Sequence, residues 1–249
     1  MPVHFPLKLV SSRMLAPTIR HFAFTRDDGQ ALDFIPGQFI QVHFQYPDGS
    51  ATKRSYSIAS RREGEPHAGD LVELAVSYVP GGAATNIFEH LAEGDTIDAS
   101  GPFGRFCLMP KDTNRRYLLI ATGTGVTPYR SMLPELARQM AGRGVEVVLL
   151  FGARNPGELL YGEEFRDFAR AHPGFRFIPC FSRELPAEPG ADDVRGYVQD
   201  ALAGVAPDPE GDIAYLCGNP NMVDACFEAL KGHGFPVPHI RREKYVSSR

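Results

Sequence analysis

Arg54-Ser-Tyr-Ser57 lies in the run Lys53–Ser60, where Tyr56, Ile58 and the hydroxyl residues favour a β-strand. On a pleated strand residues 54 and 56 share one face, and residue 57 points to the other unless the strand bends. A guanidinium that can pair with a phosphate, an aromatic ring that can stack and a hydroxyl therefore stand at alternating positions. A second stretch, Gly123-Thr-Gly-Val-Thr-Pro128, follows the apolar run Tyr117-Leu-Leu-Ile-Ala121 and precedes the helical run Tyr129–Met140. A strand, a Gly-rich turn and a helix start place backbone N–H groups and the positive end of a helix dipole against an anion. Pro128 stands where G-x-G-x-x-G has its third glycine, so the stretch is not that fingerprint; proline does suit a first helical turn, where its missing N–H costs nothing. A third stretch, Cys217-Gly-Asn-Pro220, again ends an apolar strand, Ile213–Leu216.

Outward from these stretches the chain has two textures. Up to about residue 110, short runs rich in β-branched and aromatic residues (Phe5–Val10, Ile19–Thr25, Phe39–Phe44, Lys53–Ser60, Leu71–Val79, Thr96–Ala99) alternate with Gly, Pro and Asp turns. That spacing predicts an antiparallel barrel, with one helix at Ala84–His90 after Gly81-Gly82. Beyond Pro110-Lys-Asp-Thr-Asn114 strands alternate with helices: Tyr117–Ala121, Tyr129–Met140, Val145–Phe151, Gly162–Ala171, Phe175–Phe181, a helix near Tyr197–Ala203, Ile213–Cys217 and Pro220–Lys231. This order predicts a mostly parallel sheet covered on both faces, with its Gly-rich turns at the carboxyl edge where such sheets bind ligands. The expected domains are residues 1–110, the barrel, and 111–249, the α/β domain.

The 249 residues suffice for two ordinary cores. A net charge of −4 argues against a general nucleic-acid binder. The N-terminus lacks the basic start and apolar core of a signal peptide, and no apolar run is long enough to span a bilayer, so a cytoplasmic, membrane-free protein is expected. Cys107, Cys180, Cys217 and Cys226 form no C-x-x-C, which disfavours zinc, a disulfide framework and an iron–sulfur cluster held by this chain. The eight histidines fall into no Ser/His/Asp or metal-ligand spacing, so no metal site is expected.

In this order, Arg-x-Tyr-Ser-Ile-Ala-Ser, Gly-Thr-Gly-Val-Thr-Pro and Cys-Gly-Asn-Pro resemble the ferredoxin–NADP reductase superfamily of flavoenzymes, in its bacterial ferredoxin/flavodoxin–NADP reductase branch. The resemblance implies an FAD-binding antiparallel barrel followed by an α/β nucleotide domain, with catalysis between them. It implies that Arg54 binds the flavin phosphates, that Tyr56 stacks on the isoalloxazine, and that Ser57, followed by Ile58, approaches N5. Val79-Pro-Gly-Gly-Ala-Ala-Thr85 comes at the spacing of the flavin pyrophosphate turn, with Gly81, Gly82 and the Thr85 hydroxyl as its donors. Gly123, Thr124, Gly125, Thr127 and Pro128 match the pyridine-nucleotide pyrophosphate loop. Cys217 matches a cysteine beside the nicotinamide C4 that forms no covalent bond; Gly218, Asn219 and Met222 follow it. The closing Ile240-Arg-Arg-Glu-Lys-Tyr245 matches a Glu-x-Tyr strand, which makes Glu243 and Tyr245 active-site residues, although four residues follow Tyr245 here.

Arg154, in Gly152-Ala-Arg-Asn155, and Arg183, in Phe181-Ser-Arg-Glu184, end neighbouring strands, with Arg195 a third candidate; together they suggest a clamp for the 2′-phosphate of NADPH, with NADH the alternative donor. Two charge-assisted bonds of about 1.5–3 kcal/mol each would favour NADPH roughly 10²–10⁴-fold. The expected acceptor is an acidic ferredoxin or flavodoxin, steered by Lys53, Arg54, Arg61, Arg62, Arg105, Arg241, Arg242 and Lys244 on a monomer. The competing readings are an NADH-dependent reductase component of an oxygenase or hydroxylase, and a non-catalytic flavin or nucleotide sensor on the same scaffold.

Overall fold

A computed structural model describes residues 3–46 and 48–246. Its strands form two six-stranded sheets, and the chain divides into two compact units. One gathers the chain up to Leu108 together with Thr127–Pro134; the other comprises Met109–Val126 and Glu135–Val246.

The first unit is antiparallel. Strands β1 (Val3–Ala16), β2 (Ile19–Arg26), β3 (Phe39–Gln45), β4 (Ala51–Ser57), β5 (Val72–Ser77) and β6 (Thr96–Phe103) lie in the order β4-β3-β6-β1-β2-β5. Phe5, Leu7 and Leu9 of β1, Phe22 and Phe24 of β2, Ile40 and Val42 of β3 and Leu74 and Val76 of β5 alternate inward into one core, as period-two strands require. The sheet curls toward closure just beyond β4, where Ala59 N–H donates to Glu73 O at 2.8 Å and the Ser60 hydroxyl accepts from Glu73 N–H at 2.8 Å. β1 runs well past the expected Val10, because two register shifts let it stay paired with β2 to Ala16. Val10-Ser-Ser-Arg13 shows no alternation, so that extension has no sequence pattern to announce it. Helix α1 (Ala83–His90) crosses between β5 and β6 in sequence and buries Phe88 in the same core.

The second unit is parallel throughout. Strands β7 (Arg116–Thr122), β8 (Glu146–Ala153), β9 (Phe175–Phe181), β10 (Val194–Arg195), β11 (Asp212–Gly218) and β12 (Ile240–Lys244) are ordered β10-β9-β8-β7-β11-β12. The connections include helices α2 (Thr127–Arg143), α3 (Gly162–Ala171), α4 (Val198–Ala201) and α5 (Pro220–Gly232). Continuous burial along β7, β8, β9 and β11 marks strands covered on both faces. The chain runs outward from β7 through β8 and β9 and returns to its other side as β11, so the switch of strand order falls between β7 and β11. That is where open α/β sheets take ligands.

Candidate functional site

In the first unit, β4 carries Arg54 and Tyr56 on one face. Arg54 is partly buried and donates to Thr52 Oγ1 at 3.2 Å, Lys53 O at 3.0 Å and Tyr46 Oη at 3.3 Å. Tyr56 packs edge-on against Phe88, ring centroids 5.4 Å apart, and burial raises its phenol pKa, so the ring acts as an apolar surface. Ser57 is buried at the strand end, and Ile58 is wholly inside the core.

Val79-Pro-Gly-Gly82 forms a tight turn closed by Gly82 N–H to Val79 O at 2.8 Å, with Gly81 at φ +73°. Proline then glycine at the two central positions, the second in the left-handed region, is the type II arrangement. The Thr85 hydroxyl is buried and accepts from Val79 N–H at 2.7 Å, which leaves its own O–H to donate. α1 starts without a side-chain cap and with no acidic residue in its first turn. An anion placed there would meet N–H dipoles with no acidic residue in the first turn to oppose it.

The start of α2 is built into this unit too. Arg130 is buried, and its Nη1 donates to Ala59 O at 2.7 Å and Glu73 Oε2 at 2.8 Å, while His21 Nε2 lies 3.2 Å from Glu73 Oε1. Burial pushes the Glu73 carboxyl up, but the His21 hydrogen bond and the Arg130 charge outweigh it and hold it at about 2. The members of this network lie far apart in sequence, so no local motif announces it.

In the second unit the loops after β7 and β11 interlock. Gly123–Val126 forms a 3₁₀ turn that leads into α2, which begins without a side-chain cap or an acidic first turn and has Pro128 in that turn. A Cβ on Gly125 would lie 2.3 Å from Cys217 O, and one on Gly218, at φ +129°, 2.5 Å from Thr122 O. Asn219 N–H donates to Thr122 Oγ1 at 3.0 Å. Each glycine is therefore required by the other loop's approach, whereas Gly123, at φ +54°, faces open space. An anion at the α2 start fits this cradle.

Cys217 pairs with Glu243 across β11 and β12, and Tyr245 N–H donates to Gly218 O at 2.8 Å. Burial, reinforced by the nearby Glu243 charge, raises the Cys217 thiol pKa well above its ordinary value, against the opposing pull of a hydrogen bond with the Tyr245 side chain. Burial also raises the Glu243 carboxyl. A neutral thiol, a carboxyl whose pKa burial raises and a phenol thus gather at one corner of the sheet. The two other residues of this stretch are occupied: Asn219 Oδ1 caps α5 by accepting from Asn221 N–H at 2.9 Å, and Met222 is buried in the core against Cys226. Ser247–Arg249, the end of the tail beyond Tyr245, lie outside the described residues.

Arg154, Arg183 and Arg195 stand at the carboxyl ends of β8, β9 and β10, which are adjacent. Backbone bonds tie the first two loops together: Arg183 N–H and Glu184 N–H both donate to Arg154 O, at 2.9 and 3.1 Å. Tyr197, two residues after Arg195, exposes 59% of its surface.

The proposed basic rim is thinner than the sequence suggests. Arg62 donates to Leu32 O and Phe34 O, Arg241 is held in two 2.6 Å bonds to Asp112, and Lys244 pairs with Asp224. Arg241 and Arg62 are thus structural arginines. Lys53, Arg61 and Arg105 remain exposed with no ion pair among the described residues.

Residues 6–107 match the family model of the oxidoreductase FAD-binding domain, and residues 119–228 that of the oxidoreductase NAD-binding domain. Over 97% of both chains the sequence is 37% identical to ferredoxin–NADP reductase B of Sorangium cellulosum (strain So ce56). It is 31% identical to terephthalate 1,2-dioxygenase reductase component 1 of Comamonas sp, over 98% of this chain and 69% of that one. Among solved structures, the Amycolatopsis cytochrome P450 reductase GcoB superposes with a TM-score of 0.83 at 31% identity, covering 99% of this chain and 71% of that one. The chain belongs to the ferredoxin–NADP reductase-like family of flavoenzymes and is an FAD- and NAD(P)-binding oxidoreductase. No helix among the described residues is long and apolar enough to cross a membrane.

Proposed function

We propose that this oxidoreductase takes electrons from NADPH and passes them through FAD to a ferredoxin or flavodoxin. FAD supplies the conversion that such a reaction needs, since it can accept a hydride and release electrons singly. Arg54, the Gly81-Gly82 turn and the Thr85 hydroxyl would hold its pyrophosphate, Tyr56 would offer its ring an apolar face, and Ser57 and Ile58 would line its reactive edge. Gly123, Thr124, Gly125, Thr127 and Pro128 hold the nucleotide pyrophosphate. Arg154, Arg183 and Arg195 take the 2′-phosphate. Cys217 and Gly218 set the seat of the nicotinamide; Glu243 and Tyr245 close that corner. Asn219 and Met222, at the start of α5, complete the nucleotide side, and Asn219 Oδ1 also caps that helix.

The three arginine loops on adjacent strand ends carry the choice of NADPH, and the 37% identity to a ferredoxin–NADP reductase agrees with it. Lys53, Arg61 and Arg105 would steer an acidic acceptor. One observation favours a second reading, an NADH-dependent reductase component of an oxygenase: Arg154 is already engaged by Glu158, Nε to Oε2 2.6 Å. Anaerobic reduction of the purified yellow protein by NADPH and by NADH, followed by mixing with ferredoxins and flavodoxins, decides between them. Faster bleaching by NADPH and transfer to either carrier supports the proposal. A preference for NADH with transfer only to an oxygenase component supports the alternative.

A further inference from the structure

The three strand-end arginines are not equivalent. Arg183 and Arg195 are exposed and make no ion pair among the described residues, whereas Arg154 donates through Nε to Glu158 Oε2 at 2.6 Å. Glu158 is no loose surface acid. It ends the short 3₁₀ turn Pro156–Glu158, held by Glu158 N–H to Asn155 O at 3.1 Å and Leu159 N–H to Pro156 O at 3.2 Å. Its side chain keeps only 21% of its surface, while that of Arg154 keeps 54%. The hydrogen bond from Arg154 and the paired charge hold the guanidinium more firmly protonated.

A 2′-phosphate that reaches Arg154 must share the guanidinium with this carboxylate and sit beside its negative charge. A 2′-hydroxyl meets no such conflict, because it can donate to the carboxylate. The same turn thus attracts one nucleotide and resists the other. We infer that Glu158 is a specificity-determining residue, a carboxylate that weakens the 2′-phosphate site by occupying Arg154 and so keeps NADH usable. This rests on the assignment of Arg154, Arg183 and Arg195 as the 2′-phosphate site. An exposed pair of this type alters affinity by roughly 2- to 5-fold, and relief of the repulsion acts in the same direction.

The test titrates the holoenzyme with 2′,5′-ADP, which carries the phosphate, and with 5′-AMP, which lacks it, and measures the ratio of second-order rate constants for flavin reduction by NADPH and NADH. In Glu158→Gln the dissociation constant for 2′,5′-ADP should fall at least 2- to 5-fold with that for 5′-AMP little moved. The NADPH to NADH ratio should rise by the same factor. Glu158→Asp, which keeps the charge, should stay near the parent ratio. Arg183→Ala separates two kinds of failure. If it weakens 2′,5′-ADP selectively while Glu158→Gln leaves the discrimination where it was, the inference about Glu158 is wrong and the phosphate site stands. If neither Arg183→Ala nor Arg195→Ala distinguishes the two ligands, the phosphate site itself is misassigned and the inference falls with it.

Discussion

At the scale of single residues, Cys217 shows how far chemistry constrains a role. A thiol with no exposed surface and a pKa driven up by burial is not a thiolate at neutral pH, and the thiolate is the nucleophilic form. What it would contribute to the proposed reaction is shape: it would set how closely a nicotinamide approaches the sheet edge, and a misplacement of about 1 Å can cost on the order of 10²-fold. Cys217→Ser should therefore slow flavin reduction in stopped flow while flavin content stays intact; reduction at the parent rate would make the residue a packing element only. Arg54→Ala makes a complementary prediction. The guanidinium's present partners, Thr52, Lys53 O and Tyr46, are all on the barrel surface, so its loss should leave the fold standing and the purified protein largely colourless. Full flavin occupancy in that variant would remove Arg54 from the cofactor site. Cys217 and Arg54 stand out in the sequence because motif order and residue chemistry agree there. Asn219 could not be placed the same way, since a residue beside a Gly-Pro turn looks the same whether it caps a helix or contacts a ligand.

Among the elements, the parallel unit could be read almost strand by strand, because its strands are continuous apolar runs bounded by glycines. β10, two residues long, and β12, Ile240–Lys244 with its run of charged residues, escape that pattern. The interlock between the β7 and β11 loops was not readable, because it depends on which loops become neighbours. Gly218 is the sharpest test of it. An added methyl group would need both a strained backbone at φ +129° and room that Thr122 O, at 2.5 Å, does not leave. Gly218→Ala should cost about 2–5 kcal/mol of stability, from strain and overpacking together, and should weaken nucleotide binding with it. Gly123→Ala meets only the backbone penalty, about 1–2 kcal/mol, because nothing lies within 4 Å of its Cβ. Equal thermal shifts for the two variants would mean that the loops do not bear on each other as described.

For the molecule as a whole, strand order and charge pairing are the features that a linear pattern hides. Alternation predicted the barrel strands but not the order β4-β3-β6-β1-β2-β5, because several orders would bury the same faces. Nor could it foresee that His21, Glu73 and Arg130, on three separate elements, would share one buried site. That site makes the acid stability of the protein predictable. The Glu73 carboxyl sits at about 2 in the fold against an ordinary 4.5. A depressed folded pKa means that the carboxylate's contribution is complete above about 4.5 and is lost as the pH falls through about 2. The difference corresponds to roughly 3 kcal/mol. In Glu73→Gln the Arg130 charge stays buried without its carboxylate partner, and breaking such a pair costs about 3–5 kcal/mol at neutral pH. The chain has no tryptophan, so urea unfolding is best followed by far-UV circular dichroism at a series of pH values. The parent protein should lead the variant by that margin at neutral pH, and the lead should shrink as the pH is lowered toward 2. A gap that stays constant down that series would show that the carboxylate is not paired in the folded protein.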